Sequence, residues 1–359
     1  MARNSSGISR EALNPLRITG TPLPPNVLLA VKLIAVCFLL TQWRKLPRPF
    51  LPFVPILDTI APPSTVQTAI KSTFLIAAVL LLLNRCVRVC CLVLGGCVGL
   101  AVLSSRTYFA NNRVFTACIF LLAGLLQRGQ APWFIRYQVV LVYLGAGLNK
   151  LLDKDWRSGQ FFEAWTSGTP HHQRLQSALP WPPRWTNRLL SWLVIGVELF
   201  LVVGLSSKRL VPLSIWTGAA YHTALLVDTG STFNMFYVAM LSAYLAFADW
   251  PTSVKVDYVV SARPVLRLVQ LLELTDSDRM LVTRAHRRAA VPLSVTVGRR
   301  RFQNWSAARM LLLLHAPSYV LFTVALSLLD PRRWGRWLAL AVFTAVSASR
   351  VVNRRSDRG

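Results

Sequence analysis

The sequence predicts an all-α polytopic membrane helix bundle of about eight spans, or ten if two late apolar runs also cross, followed by a small α/β unit at the C-terminus. Three observations lead there. The chain is 53% hydrophobic with a mean hydropathy of +0.44. Only 15% of its residues are charged, against about 25% in an ordinary soluble domain. Apolar residues come in runs approaching the roughly 20 needed to cross a bilayer, until the composition changes after Trp250-Pro251.

The 40 Lys and Arg outnumber the 14 Asp and Glu, for a formal charge of +26. Nucleic acid is rejected as the partner. The basic residues sit between apolar runs and in the tail, as membrane-flanking residues do on anionic leaflets, and no zinc-finger or RNA-binding signature accompanies them. The bilayer itself is the expected partner. All six cysteines (Cys37, Cys86, Cys90, Cys91, Cys97, Cys118) lie in or beside apolar segments of the first third. They read as small apolar helix residues; Cys86 and Cys90 are four apart and could share a helix face, but no His or carboxylate cluster accompanies them, so no metal is expected.

Residues 1–26 read as a polar N-terminal tail on the cytoplasmic side, and no small-residue cleavage site follows the first apolar run. That run, 27–41, is span one, with Lys32 inside it. Six prolines between 46 and 66 exclude a continuous helix there. Spans two, three and four are expected at 69–83, 89–103 and 114–126, and the cluster of Gly95, Gly96 and Gly99 allows close helix approach in the third. Span five starts at Arg136. Spans six, seven and eight are expected at about 189–205, 210–227 and 231–248. They carry Glu198, then Tyr221, His222 and Asp228, then Asn234, Tyr237 and Tyr244. Buried polar groups on this scale require partners. An interhelical network that only holds the bundle together is the plainest form those partners take.

The loop from Leu152 to Thr186 holds Trp156, Phe161, Phe162, Trp165, Trp181 and Trp185 beside His171-His172. It is expected to lie on the membrane surface or to cap a cavity. From 251 to 359 the chain is basic. SVKVDYVV alternates as a strand does, RPVLRLVQLLEL reads as an amphipathic helix, and AVPLSVTVGRRRF reads as strand and turn. The positive-inside bias makes this unit cytoplasmic. The apolar runs at 310–329 and 335–348 read either as two more spans or as helices of the α/β unit.

The stretch that organises the chain is 136–168, where a long apolar helix ends in a lysine. At 100° per residue Arg136, Tyr143, Gly147 and Lys150 share one face. A polar stripe in a membrane helix faces protein or a water-filled cavity, and an ionisable residue on it is a functional candidate. The alternative is that Lys150 snorkels to the headgroups.

The run VYLGAGLNKLLDKDWRSG resembles the Y-x-x-A-G-x-x-K-L…D-W-x-x-G segment of the vitamin K-dependent gamma-carboxylase family, whose membrane part is the HTTM domain. YHTALLVDTGSTFNMFYVAMLSAYLAFADWP resembles that family's Y/F-H…F-x-M-F-x-Y-V-M-L…W-P segment, and Asn111-Asn112 is a weaker third match. The resemblance covers roughly 27–250. It implies a helix bundle, reduced quinone of the vitamin K or menaquinol type as cofactor, and a peptide or protein substrate. It also implies Lys150 as the base that deprotonates the hydroquinone, with His222 as its catalytic companion. Tyr143, Gly147, Glu198, Tyr221, Asn234, Asn112 and Arg113 would line the pocket. Desolvation suits a lysine to that role, because an apolar pocket favours the free amine.

Three departures accompany the match. Arg113 stands where the family has a functional histidine, the D-W spacing after Lys150 is one residue longer, and no large lumenal region follows. The C-terminal unit resembles small thioredoxin-like thiol-disulfide oxidoreductases bearing D-x-x-C-x-x-C, but Ser261-Ala262-Arg263-Pro264 stands where the cysteines would fall, so no exchange chemistry is expected. Two functions follow. One is a quinol-coupled enzyme modifying a peptide or protein, of the carboxylase-like lyase type. The other is a non-catalytic maturation or export helper that binds a client. No inverted repeat supports a transporter.

Overall fold

The computed structural model describes residues 14–46, 63–104, 108–168, 184–229 and 233–329. The chain divides into two compact units, one of Met1–Pro132 with Leu225–Gly359, the other of Trp133–Ala224.

The larger unit is mostly helical. Its helices are α1 (Pro25–Thr41), α2 (Pro63–Leu82), α3 (Val87–Ser104) and α4 (Asn111–Leu125). The smaller unit supplies α5 (Trp133–Leu152), α6 (Lys154–Ser158), α7 (Gln160–Gly168), α8 (Arg184–Ser206) and most of α9 (Val211–Thr229). The larger unit resumes with α10 (Asn234–Tyr244), extended by a 3-10 turn, Leu245–Phe247. The apolar runs within the described residues become helices, as a chain away from water can satisfy its backbone only internally.

Eight crossings are not what the helix lengths establish. Among the described residues, three helices are long and apolar enough to cross, Ser64–Leu82, Val87–Ser104 and Trp185–Ser206, or four if the bent pair Asn304–Leu314 and Ala316–Leu328 is one span. At 1.5 Å per residue the three span about 27–33 Å, the thickness of the hydrocarbon core. Their outward faces are apolar: Ile76 is 59% exposed, Val89 60%, Leu193 59% and Val203 64%. In water such faces would aggregate; in lipid they are solvated. The helices Pro25–Thr41, Asn111–Leu125 and Asn234–Phe247 are apolar but shorter. Trp133–Leu152 has the length, but Arg136, Gln138, Asn149 and Lys150 dilute its apolar character.

α3 and α4 form the tightest pair of the larger unit. A Cβ on Gly95 would stand 2.6 Å from Leu121 Cγ, and one on Gly124 would stand 2.6 Å from Leu92 Cγ, so each glycine receives a leucine of the other helix. Gly96 and Gly99 meet nothing within 4 Å and serve no such contact. The link from α2 to α3 is left-handed at Asn84 and Cys86, so Cys86 precedes the helix that carries Cys90, and all six cysteines are free. On α10, Asn234, Tyr237 and Tyr244 are buried along with Met235, Val238, Ala239 and Met240, because α1, α4 and α13 (Ala316–Leu328) pack around it.

The N-terminal segment is not a free tail from residue 14 onward. Lys32, 1% exposed in the middle of α1, donates to the carbonyls of Pro15, Arg17 and Leu82 at 2.8, 2.8 and 3.1 Å. Three acceptors match the three N–H donors of an ammonium, so this charge has a structural task. The Asp278 carboxylate takes the backbone N–H groups of Ile18 and Thr19 and the Thr19 hydroxyl, the last at 2.6 Å.

The C-terminal α/β module carries β1 (Val254–Val259), α11 (Arg263–Thr275), β2 (Leu281–His286), β3 (Leu293–Val297), β4 (Arg300–Gln303) and α12 (Asn304–Leu314). The strand order is β2-β1-β3-β4, with β1 and β2 parallel and the other neighbours antiparallel. Val254, Val256, Leu293 and Val295 on one face of the sheet meet Val269 and Leu272 of α11 and Ala307 and Leu311 of α12. The apolar stretch 310–329 is divided between two tasks. Its first part completes α12 over the sheet, and after a 71° bend at His315, with Pro317 in the first turn of the next helix, α13 packs on α1. The stretches 47–62 and 335–348 and the pair His171-His172 lie outside the described residues.

Candidate functional site

The smaller unit brings together the polar residues expected of its helices. α5 and α8 pack with Gly147 at their contact, where an added Cβ would come within 2.9 Å of Leu199 Cδ2 and 3.5 Å of Glu198 Cβ. The missing side chain lets Glu198 reach Lys150. Lys150 Nζ lies 2.8 Å from both carboxylate oxygens of Glu198, and the Tyr221 hydroxyl donates to Oε1 at 2.8 Å. The side chains are 18% and 5% exposed, so the lysine stays reachable while its counter-ion is buried.

One helical layer away, Tyr143 Oη lies 2.5 Å from His222 Nε2, with both residues buried. Tyr143 and Lys150 are seven apart on α5, and Tyr221 and His222 are neighbours on α9, so three helices supply five polar side chains in two linked layers. The arrangement can hold and pass protons. The hydroxyl shared with the imidazole is donor and acceptor at once, and the carboxylate accepts from both the ammonium and the phenol.

The described part of the stretch after Lys150, up to residue 168, is helical. Asp153 accepts from Asp155 N–H at 2.8 Å and so caps α6, and Gly159 ends it with φ +86°. A side chain at Gly159 would strike the backbone of Arg188 at 2.6 Å. This turn places the Trp156 ring 5.0 Å from Lys150 Nζ, a cation–π contact, and stacks it on Phe161 at 3.9 Å between centroids. Lys150 therefore sits between a carboxylate and an indole rather than in a purely apolar pocket.

Not every expected residue joins this cluster. Arg136 lies over the Trp133 ring at 4.9 Å. Asn112, Arg113 and Asn234 belong to the larger unit. Arg113 donates to the Tyr108 carbonyl at 2.5 Å with its guanidinium 3.8 Å from the Tyr108 ring, where burial pushes the phenol up to about 12 against the pull of Arg113. Asn112 Oδ1 is buried without a hydrogen bond, and Asn234 Nδ2 donates to the Leu326 carbonyl at 3.0 Å.

Two residues escaped the sequence reading. Asn187 and Ser191 are 3% and 0% exposed, and their Nδ2 and Oγ atoms have no hydrogen-bond partner among the described residues. Together with Glu198 they fall at i, i+4 and i+11 of α8, a periodic polar face that was there to be found. No group of three or more His, Cys, Asp or Glu side chains gathers among the described residues. No protein-family model, no curated protein and no solved structure matches this chain.

Proposed function

We propose that the chain is a multi-pass cell-membrane protein of the HTTM kind, resembling the vitamin K-dependent gamma-carboxylases, and that it modifies a peptide or protein in a quinol-coupled reaction. The observation that carries this reading is the bidentate hold of Glu198 on Lys150, with Tyr221 on the same carboxylate. These are residues of the matched lysine and histidine segments together with the carboxylate that orients the lysine. On this reading the shorter apolar helices also lie in the bilayer, making about eight crossings, and the basic C-terminal module is cytoplasmic.

The donor set suits a phenolic oxygen: an ammonium, a carboxylate and a tyrosine hydroxyl, with an indole face beside them. A reduced quinone, when bound, would supply the reducing equivalents for oxygen chemistry, with Lys150, Glu198 and Tyr221 as the residues that would hold its phenolic oxygen. Lys150 and Glu198 then act together. Glu198 fixes the position of Nζ and can take up a proton that Lys150 receives, so the pair works as one base. Tyr221 holds the carboxylate in place, and Tyr143 with His222 keeps a second exchangeable proton in the buried layer.

The test is turnover of reduced menaquinone or phylloquinone by the reconstituted protein with a Glu-containing peptide. Lys150→Ala and Glu198→Gln are each expected to lower it by about 10²–10⁴-fold. Identical turnover in wild type and Lys150→Ala would end this reading.

A second reading, a non-catalytic helper for a membrane-bound client, is favoured by two observations. Lys150, Glu198 and Tyr221 already satisfy one another, and the turn between β1 and α11 carries Ser261-Ala262-Arg263-Pro264 and no thiol. The strand order of the module supports the thioredoxin-like resemblance without its chemistry. Capture of one defined client, with no quinol consumption by wild type, would decide for the helper.

A further inference from the structure

We propose that the open face of the C-terminal sheet is a seat for anionic lipid headgroups. Among the described residues, the sheet has helices on one face only. α11 and α12 both pack against Val254, Val256, Leu293 and Val295, and the connection from β2 to β3 is too short to place a helix on the other side. Because side chains alternate along strands, the register fixes what that other face shows. One row runs Val282, Lys255, Thr296, Arg301, and the next runs Arg284, Asp257, Ser294, Gln303. Lys255, Arg284 and Arg301 are exposed, and Arg301 also covers Ser294, donating to its Oγ from Nη2 at 3.2 Å.

The charge of this module is one-sided. Between residues 251 and 314 there are eleven Lys and Arg against four Asp and Glu, and all four acids are engaged inside the fold. Asp257 pairs with His286 at 3.3 Å, Glu273 takes the Thr283 hydroxyl, Asp276 takes the Leu281 N–H and Asp278 takes the N-terminal segment. Lys255, Arg284, Arg287, Arg288, Arg299, Arg300 and Arg301 make no ion pair among the described residues. Their field is left to an outside partner.

The attachment of the module points to the bilayer as that partner. Asn26, at the start of α1, donates to the carbonyls of Leu245 and Ala248 at the end of α10, both at 2.9 Å. α13 leaves the module directly through His315, and Asp278 grips Ile18 and Thr19 just ahead of α1. The Asp278 clamp and the α12–α13 junction therefore fix the module to the apolar helices. The link from α2 to α3, which Asn84 Nδ2 ties to the Asn14 carbonyl of the same N-terminal segment at 3.1 Å, carries Arg85, and basic residues gather on the side of anionic lipid. A free acidic peptide is the weaker fit, because the module is tied directly to the apolar helices, which keeps its cations beside a headgroup layer.

The experiment uses the full chain in nanodiscs of phosphatidylcholine alone or with about 30 mol% phosphatidylglycerol, read by amide hydrogen exchange over 281–303. The anionic discs are expected to slow exchange there by about 5-fold or more, with the effect lost at about 0.5 M salt. The Lys255→Glu/Arg284→Glu/Arg301→Glu variant should lose it too, with exchange in α11 and α12 unchanged as evidence that the module is folded. Equal exchange in both kinds of disc would overturn the proposal. So would equal protection by polyglutamate in the neutral discs, which would mark the face as a seat for an acidic chain.

Discussion

Removing either partner of the Lys150–Glu198 pair leaves the other charge without its answer in a site whose carboxylate is nearly closed to water. A fully buried pair broken this way costs about 3–5 kcal/mol; with Lys150 partly exposed, about 1–3 kcal/mol is expected for Lys150→Ala or Glu198→Gln. Unfolding in detergent of the two single variants and the double should show a coupling close to either single loss. Tyr221→Phe removes one hydrogen bond and should cost about 0.5–1.5 kcal/mol. These residues were visible in the sequence because a lysine, a glutamate and a histidine inside apolar runs demand an explanation. Their pairing was not. Lys150 and Glu198 are 48 positions apart, and helical periodicity orders residues only along one helix. The same limit hid the carbonyl partners of Lys32, which come from residues 15, 17 and 82.

Among the elements, the α3–α4 pair gives the sharpest contrast. Gly95 and Gly124 each face a leucine at 2.6 Å from where a Cβ would stand, while Gly96 and Gly99 face open space. Gly95→Val and Gly124→Val should each cost about 1–3 kcal/mol by overpacking. Gly96→Ala and Gly99→Ala should be neutral or gain up to about 1 kcal/mol, the helix-propensity difference. Thermal denaturation of the four variants separates the two classes, and equal losses at all four would contradict the packing. Helices were legible as apolar runs, and β1, β3 and β4 as alternation and a turn. β2 was not read as a strand. It is an edge strand with Val282, Arg284, Ala285 and His286 exposed, so no face of it carries the apolar signal on which such readings depend. The number of crossings is not fixed by the runs alone for a related reason: a run of 11–17 apolar residues looks the same whether it spans lipid or is enclosed by protein, as α10 is.

At the scale of the whole molecule, the α/β module and the apolar helices of the larger unit are held as one by groups far apart in sequence. Asp278→Ala removes the carboxylate that takes three donors from Ile18 and Thr19. Local opening of the N-terminal segment should become easier by about 1.5–3 kcal/mol, the scale of a hydrogen bond to a charged group. Limited proteolysis should then cut near residues 14–20 about 10–100-fold faster, with the helical core intact. An unchanged cleavage rate would mean that Lys32 alone holds the segment.

The Asp278 clamp also sets a schedule for synthesis. Lys32 finds its last carbonyl once Leu82 has emerged, so the first two helices can settle early. Ile18 and Thr19 must wait for a residue made some 260 positions later, roughly 10–50 s at ribosomal speed. Through that interval the leading segment is available to chaperones and to the insertion machinery, and its closure reports that the C-terminal module has been translated.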